Sequence, residues 1–303
     1  MSPKSPEVGD FLRSRRARLE PADVGLPSFG GPRRVPGLRR EEVAILAGVS
    51  VDYYTRLEKG NLAGVSDTVL DAIAHALKLD AAERAYLFDL ARAATPSERR
   101  RAPRRSRSVP RLRAGAEHLV NAVGDVPVMA HTRRLDILAV NPLARALFTS
   151  ALTSPTRSVP PAPVNLARYV FLDPAAEHFY LDLHSIAATC VGMLRAEAGR
   201  TPHDGQLNAL IGELTMRSTL FAQLWADHDV VLHDHGVKVM HHDLIGDIEL
   251  GYETFPFDAD AGHVVTFYYS LPGSAAIDQL RMLGSWTATA PSTVISASEE
   301  GDS

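Results

Sequence analysis

The sequence predicts an all-α domain of five helices followed by an α+β domain in which helices pack on an antiparallel sheet. Three observations predict it. Up to about residue 94 the apolar residues recur at helical spacing with no strand pattern. Residues 95–113 break every periodicity. Beyond them short β-type runs bracket long helical stretches. A length of 303 residues suits two domains, and 45% hydrophobic with 22% charged residues is a globular composition. No apolar run approaches the roughly 20 residues of a membrane helix, and the N-terminus lacks a signal-peptide core, so a cytoplasmic protein is expected. The single cysteine, Cys190, excludes an intrachain disulfide and a multi-cysteine zinc site.

In the first domain (1–94), Val8, Phe11, Leu12, Arg15 and Leu19 share one stripe of a first helix, which Pro21 and GLPSFGGPRRVPG end. Helices follow over 40–47, 51–59, 67–77 and 81–94. Val69, Leu70, Ile73 and Leu77 bury the fourth, and Asp80 with Glu83 forms a capping box for the fifth. The stretch 95–113 holds eight arginines and three prolines. It reads as a linker, either a self-repelling tether or a basic arm for phosphates. In the second domain (114–286), 128–132 and 137–140 are strands, and Asn141 caps a helix with Pro142 at its first position. A Pro/Ser/Thr-rich loop covers 150–165, and helices cover 174–198 and 203–218. Strands close the domain at 230–233 with 236–242, 246–257 and 263–271. Ile248, Leu250 and Tyr252 alternate with Asp247, Glu249 and Glu253, which predicts one wet sheet face. The tail, 287–303, is small and polar and is expected to be disordered.

Charge divides unevenly. Residues 1–113 carry 22 Lys and Arg against 14 Asp and Glu, whereas the remainder carries 10 against 22. A basic first third suits a polyanion, although opposite charges also let the two halves dock. The informative segment is RREEVAILAGVSVDYYTRLEKG, 39–60. An apolar helix with the small Ala44 ends at Gly48, where positive φ turns the chain; Val49 plugs the corner and Ser50 caps the next helix. Tyr54 and Leu57 of that helix point inward. Val51, Asp52, Thr55, Arg56 and Lys59 share the opposite face, which is short, varied in hydrogen-bonding type and cationic at its end. Such a face suits entry into a DNA major groove; a plain helical hairpin is the alternative.

Residues 33–94, above all RRVPGLRREEVAILAGVSVDYYTRLEKG, resemble the helix-turn-helix domain of the XRE (Cro/C1-type) bacterial regulators, and within them the MmyB-like branch. The second half resembles the same branch through LDILAVNPLARAL (135–147), FLDP (171–174), LWADHDV (224–230), the HxxxGDIELGYE run from His242 to Glu253, and LPGS (271–274). Asp243 departs from it, standing where the branch usually has proline. The resemblance implies a nucleoid-associated transcriptional regulator of double-stranded DNA, whose C-terminal domain is PAS-like and binds a small lipophilic ligand such as a fatty acid. It also implies that Arg40 replaces a backbone-clamping glutamine and that Val51, Asp52, Thr55 and Arg56 face bases. Arg56 suits guanine, with phosphate as the alternative; Asp52, repelled by phosphate, suits a base edge or an intraprotein bond. Arg33, Arg34 and Arg39 read as backbone contacts or as solvated loop charges. A homodimer is expected, because two half-sites about one helical turn apart match a two-fold protein.

In the second domain His228, His233, His235, His241 and His242 crowd together. His233 and His235 on one strand face would suit a cupin-like metal sensor or enzyme, the alternative function, but the glutamate spacing of a cupin is absent. No metal ligand is assigned. Catalysis is not expected either: there is no G-x-S-x-G and no Gly-rich phosphate loop, Ser185 beside His184 lacks a nucleophile-elbow context, and Cys190 lies in an apolar helix. No cofactor is expected beyond the ligand. Phe171, Tyr180, Phe221, Trp225 and Phe267 could line its pocket, or could be plain core.

Overall fold

The computed structural model describes residues 6–26, 37–62, 64–94, 110–156, 163–230, 233–257 and 262–289. Arg33, Arg34, most of the arginine-rich linker and the tail beyond 289 lie outside the described residues.

The first domain is helical: α1 (Pro6–Arg18), a 3-10 turn (Pro21–Val24), α2 (Arg40–Leu46), α3 (Val51–Glu58), α4 (Asp67–Ala76) and α5 (Ala81–Ala94). Its core is Val8, Phe11, Leu12, Val43, Tyr54, Leu57, Leu70, Ile73, Tyr86 and Leu87, all buried. Caps set the boundaries, at Ser50 and Asp80 as the sequence indicates and at Ser66 besides. Ser50 Oγ accepts from the Tyr53 amide at 3.1 Å and Ser66 Oγ from that of Val69 at 3.4 Å. Asp80 and Glu83 exchange side-chain-to-amide bonds at 2.8 and 3.1 Å.

The second domain opens with α6 (Ala114–Ala122), β1 (Val128–Thr132) and β2 (Ile137–Val140). A helical layer follows: α7 (Pro142–Leu147), α8 (Thr149–Leu152), α9 (Leu166–Leu172), α10 (Ala175–Phe179), α11 (Leu183–Arg200), α12 (Gly205–Arg217) and α13 (Thr219–Ala226). Then come β3 (His235–His242), β4 (Gly246–Pro256), β5 (His263–Ser270) and α14 (Ala276–Thr289). The strands form one antiparallel sheet in the order β2-β1-β5-β4-β3. One face carries Met129, Met240, Ile248, Leu250, Tyr252 and Tyr268 against the helical layer. The other carries Val128, Ala130, Val265 and Phe267 under α6. The alternation along β4 leaves Asp247 and Glu249 exposed and Ile248 and Leu250 buried, as expected.

Four sequence expectations need correction. The stretch expected as a loop over 150–165 begins inside α8, which runs Thr149–Leu152. The helix over 174–198 is two helices, α10 and α11. Between them Tyr180 leaves helical geometry to bridge Met240, and the Leu181 amide donates to Val239 O at 3.3 Å. The run 230–233 is not strand in its described residues; β3 starts at His235. The closing helix α14 continues to Thr289, into the stretch expected to be tail.

Asn141 ties the start of the second domain together. It is fully buried, accepts from the Val128 amide at 3.0 Å and the Ala144 amide at 2.8 Å, and donates to Val123 O and Val126 O at 2.8 and 2.7 Å. Asn141→Ala strips two buried amides and two carbonyls of their partner. A loss of about 2 kcal/mol is expected in urea unfolding of the full chain. A loss no larger than that of an exposed helix cap would mean that water replaces the side chain.

Candidate functional site

The helix-turn-helix is built by local chemistry. Val43 and Ala44 bury one face of α2, and the Val49 amide donates to Ala44 O at 2.9 Å across Gly48, whose φ is 64°. α3 then begins at its Ser50 cap, burying Tyr54, Leu57 and Glu58 while Val51, Asp52, Arg56 and Lys59 stay exposed and Thr55 half-buried. The sequence-derived contact face is therefore one continuous surface. Arg39 and Arg40 stand exposed at the start of α2 beside it.

Sequence reasoning missed Glu58. This carboxylate is 1% exposed at the end of α3. Its Oε1 accepts from Arg16 Nε at 2.6 Å and its Oε2 from Arg40 Nε at 2.7 Å; its backbone carbonyl accepts from Arg13 Nη1 at 3.0 Å. Burial pushes the carboxyl up, but the hydrogen bonds and charges of Arg16 and Arg40 outweigh it and hold it below the usual carboxylate range. Arg40 is thus committed to an intraprotein ion pair through Nε. The available signal was a charged residue next to Leu57, at i+4 from Tyr54, on the inward side of the helix.

α1 also holds the second domain. Arg15, 3% exposed despite its place in an apolar stripe, pairs with Glu83 at 3.0 Å and Asp229 at 3.1 Å and donates to His228 O. Arg18 reaches Asp229 at 2.5 Å and Asp227 O at 3.0 Å. α5 packs on α11, with Ala196 and Val230 buried in the first domain's core. The fully buried Arg195 lies over the Trp225 ring at 4.2 Å and donates to Trp225 O and to His228 Nδ1 at 3.1 Å. The two domains are joined by buried charge as well as by apolar contact.

Of the aromatic residues read as a pocket, Phe171 and Phe221 meet edge to face at 5.0 Å, and Trp225 stacks on Phe221 at 5.5 Å. Tyr180 sits apart, against Phe179 and Tyr169. Phe267 lies on the opposite sheet face, under α6. None of the five lines the cleft of about 240 Å³ that opens between α11 and the far end of the sheet. Its walls are Arg133, Met193, Ala196, Arg200, His233, Asp234, Thr254, Pro256 and Val264.

The histidines do not converge as a strand pair. His233 turns inward, its ring tilted against that of Tyr252 at 4.2 Å, while His235 is exposed. A different group gathers at the surface: His178, His241 and Asp243, with donor atoms within 4.8 Å of one another. His178 Nε2 lies 3.2 Å from Asp243, and His241 Nδ1 lies 2.6 Å from Asp247. Such a spacing suits a divalent ion, although His178 and Asp243 are largely solvated, as free surface groups are. Cys190 is buried core, its thiol pushed up to about 11 by burial.

Comparison with known families completes the picture. The helix-turn-helix domain model matches residues 7–87, and the model described as the MmyB-like transcription regulator ligand binding domain matches residues 112–283. The chain belongs to the MmyB-like transcription regulators. No curated protein matches it. In this MmyB-like regulator the exposed face of α3 belongs to a DNA-binding domain and the α+β half to a ligand-binding domain. No helix among its described residues is long and apolar enough to cross a membrane.

Proposed function

We propose that this chain is a non-enzymatic, cytoplasmic and nucleoid-associated regulator that binds an operator as a homodimer, with a PAS-like second domain sensing a small fatty-acid-like ligand. The observation that carries the DNA half is the division of α3: Tyr54, Leu57 and Glu58 lock one side, leaving Val51, Asp52, Thr55, Arg56 and Lys59 to the other. A single antiparallel sheet with helices gathered between β2 and β3 supports the PAS-like reading. Buried charge between the domains supplies a route by which a ligand alters DNA affinity through its preference for one arrangement.

Selection of operator sequences from a random pool, followed by footprinting, tests the DNA half. Arg56→Ala is expected to cost about 1–3 kcal/mol at one base position while leaving the fold intact. Unchanged preference at every position would remove Arg56 from base contact. Mass spectrometry of an organic extract of the purified protein, followed by operator titration with the compound found, tests the sensor half. A bound lipid that leaves operator affinity unchanged would count against sensing.

A further inference from the structure

The surface group at the end of β3 is left unused by the function above. His178 comes from α10, His241 from the end of β3, Asp243 from the turn into β4, and Asp247 from the start of β4, directly opposite His241 in the ladder. The frame that gathers them is fixed by other bonds. Tyr180 bridges Met240, and the Leu181 amide donates to Val239 O at 3.3 Å, which ties the end of α10 to β3. The Ile245 amide closes the turn on His242 O at 3.2 Å, with Gly246 at a φ of 72°. Gln279 of α14 then donates to Ile245 O and Asp247 O, both at 2.8 Å.

Three features set this group apart from polar residues that merely share a surface. The first is orientation. His241 Nδ1 lies 2.6 Å from Asp247 Oδ1, and a carboxylate only accepts, so in the neutral ring the proton resides on Nδ1 and Nε2 presents a lone pair. A carboxylate on the far ring nitrogen is how metal-binding imidazoles are commonly held. The second is spacing. Nitrogen and oxygen ligands about 2.0–2.1 Å from a tetrahedral ion stand roughly 3.3–3.4 Å from one another. His178 Nε2 and Asp243 Oδ1 stand 3.2 Å apart, and the rings of His178 and His241 meet edge to face at 4.6 Å. The third is charge. Among the described residues no Lys or Arg closes to ion-pair distance on Asp243 or Asp247, whose ion-pair partners are the two histidines. Two neutral imidazoles beside two carboxylates leave a double negative charge, which a divalent cation balances.

We propose that His178, His241 and Asp243 bind a divalent transition-metal ion of the zinc class, with Asp247 positioning His241 and water taking the fourth place. The ion clamps α10 to the β3–β4 hairpin. Two imidazole ligands favour zinc, nickel or copper over magnesium and calcium, which are held by oxygen. His178 and Asp243 are exposed, so both side chains can close on the ion without disturbing the core. The site shares no residue with the cleft beside α11 or with the sequence-derived pair His233 and His235. It is independent of the ligand-sensing reading, and the failure of either leaves the other standing.

Isothermal titration of the tag-free, chelator-treated full chain with zinc chloride, and separately with magnesium chloride, tests it. One zinc per chain is expected, bound far more tightly than magnesium. His178→Ala, His241→Ala and Asp243→Ala should each weaken zinc by about tenfold or more, and so should Asp247→Asn, which keeps the shape of the side chain but removes its charge. His235→Ala, at an exposed histidine of the same strand, should leave zinc binding unchanged. Zinc should raise the melting temperature of the wild type but not of His178→Ala, and the metal-free melting temperatures of all these variants should match that of the wild type. Absence of saturable zinc binding overturns the site. Zinc held equally well by all three alanine variants belongs to other residues, and magnesium bound as tightly as zinc reduces the group to an acidic surface; either result overturns the proposal.

Discussion

Gly199→Val is expected to undock the two domains at a cost of about 3 kcal/mol, the upper end of overpacking penalties. A Cβ on Gly199 would stand 2.4 Å from Tyr86 Cε2 and 2.8 Å from Cδ2, distances that require movement. Tyr86 has nowhere to go. It is 1% exposed, packs edge to face on Phe11 at 5.1 Å, and donates from its hydroxyl to Glu7 Oε1 at 2.7 Å. The strain therefore falls on the packing of α5 against α11. Gly199 is the penultimate residue of α11, and replacing a helical glycine ordinarily gains at most about 1 kcal/mol of helix propensity, so the sign itself is diagnostic. Calorimetry should show the variant's unfolding separating into two transitions. A single transition at the wild-type temperature would mean that α5 and α11 can part without cost.

The second large effect is at Glu58. Removing one partner of a buried ion pair costs about 3–5 kcal/mol, and because Arg40 is half exposed the lower end applies: about 3 kcal/mol for Glu58→Gln. The pH dependence follows from the direction of the shift. The folded carboxyl lies below its ordinary value of 4.5, so its contribution is complete above that value and disappears as the pH falls through the folded value. Urea unfolding of wild type and Glu58→Gln at pH 7 and at progressively lower pH should show the stability gap closing in acid. A gap that stays constant across that range would assign the effect to packing alone. The variant should also bind operator more weakly, because Arg16 and Arg40 position the end of α3 through the Glu58 carboxylate.

Local signals carried the legible part of this molecule. Ser50, Gly48 and the apolar positions of α2 and α3 act within a few residues, and so they mark the helix-turn-helix in the bare sequence. Asn141 and the β4 alternation were legible for the same reason. What was not legible depends on partners distant in the chain. Tyr180 belongs to a helical pattern by composition, yet it leaves the helix for β3. Arg15 lies on an apolar stripe, and only Asp229 and Glu83 explain its burial. The cleft draws its walls from the β1–β2 turn, α11, the segment before β3, β4 and β5, so no single stretch of sequence could reveal it. The aromatic residues chosen instead are conspicuous by size, and size alone does not distinguish cavity wall from core.

The sheet topology governs the order in which this protein can assemble. β1 pairs with β2, its neighbour in the chain, but its other partner is β5, with Val128 opposite Phe267. The central pairing therefore joins opposite ends of the second domain and bears the entropy of closing the whole intervening helical layer. The contacts within the helix-turn-helix are short in sequence, and on the ribosome all of its residues emerge before α11 and β5 are synthesised. Until then Tyr86 and Ala91 lack the Ala196 and Val230 that complete their cluster. The DNA-binding half thus passes through a nascent stage with its docking face uncovered, and the last strand to be made closes the sheet of the half that controls it.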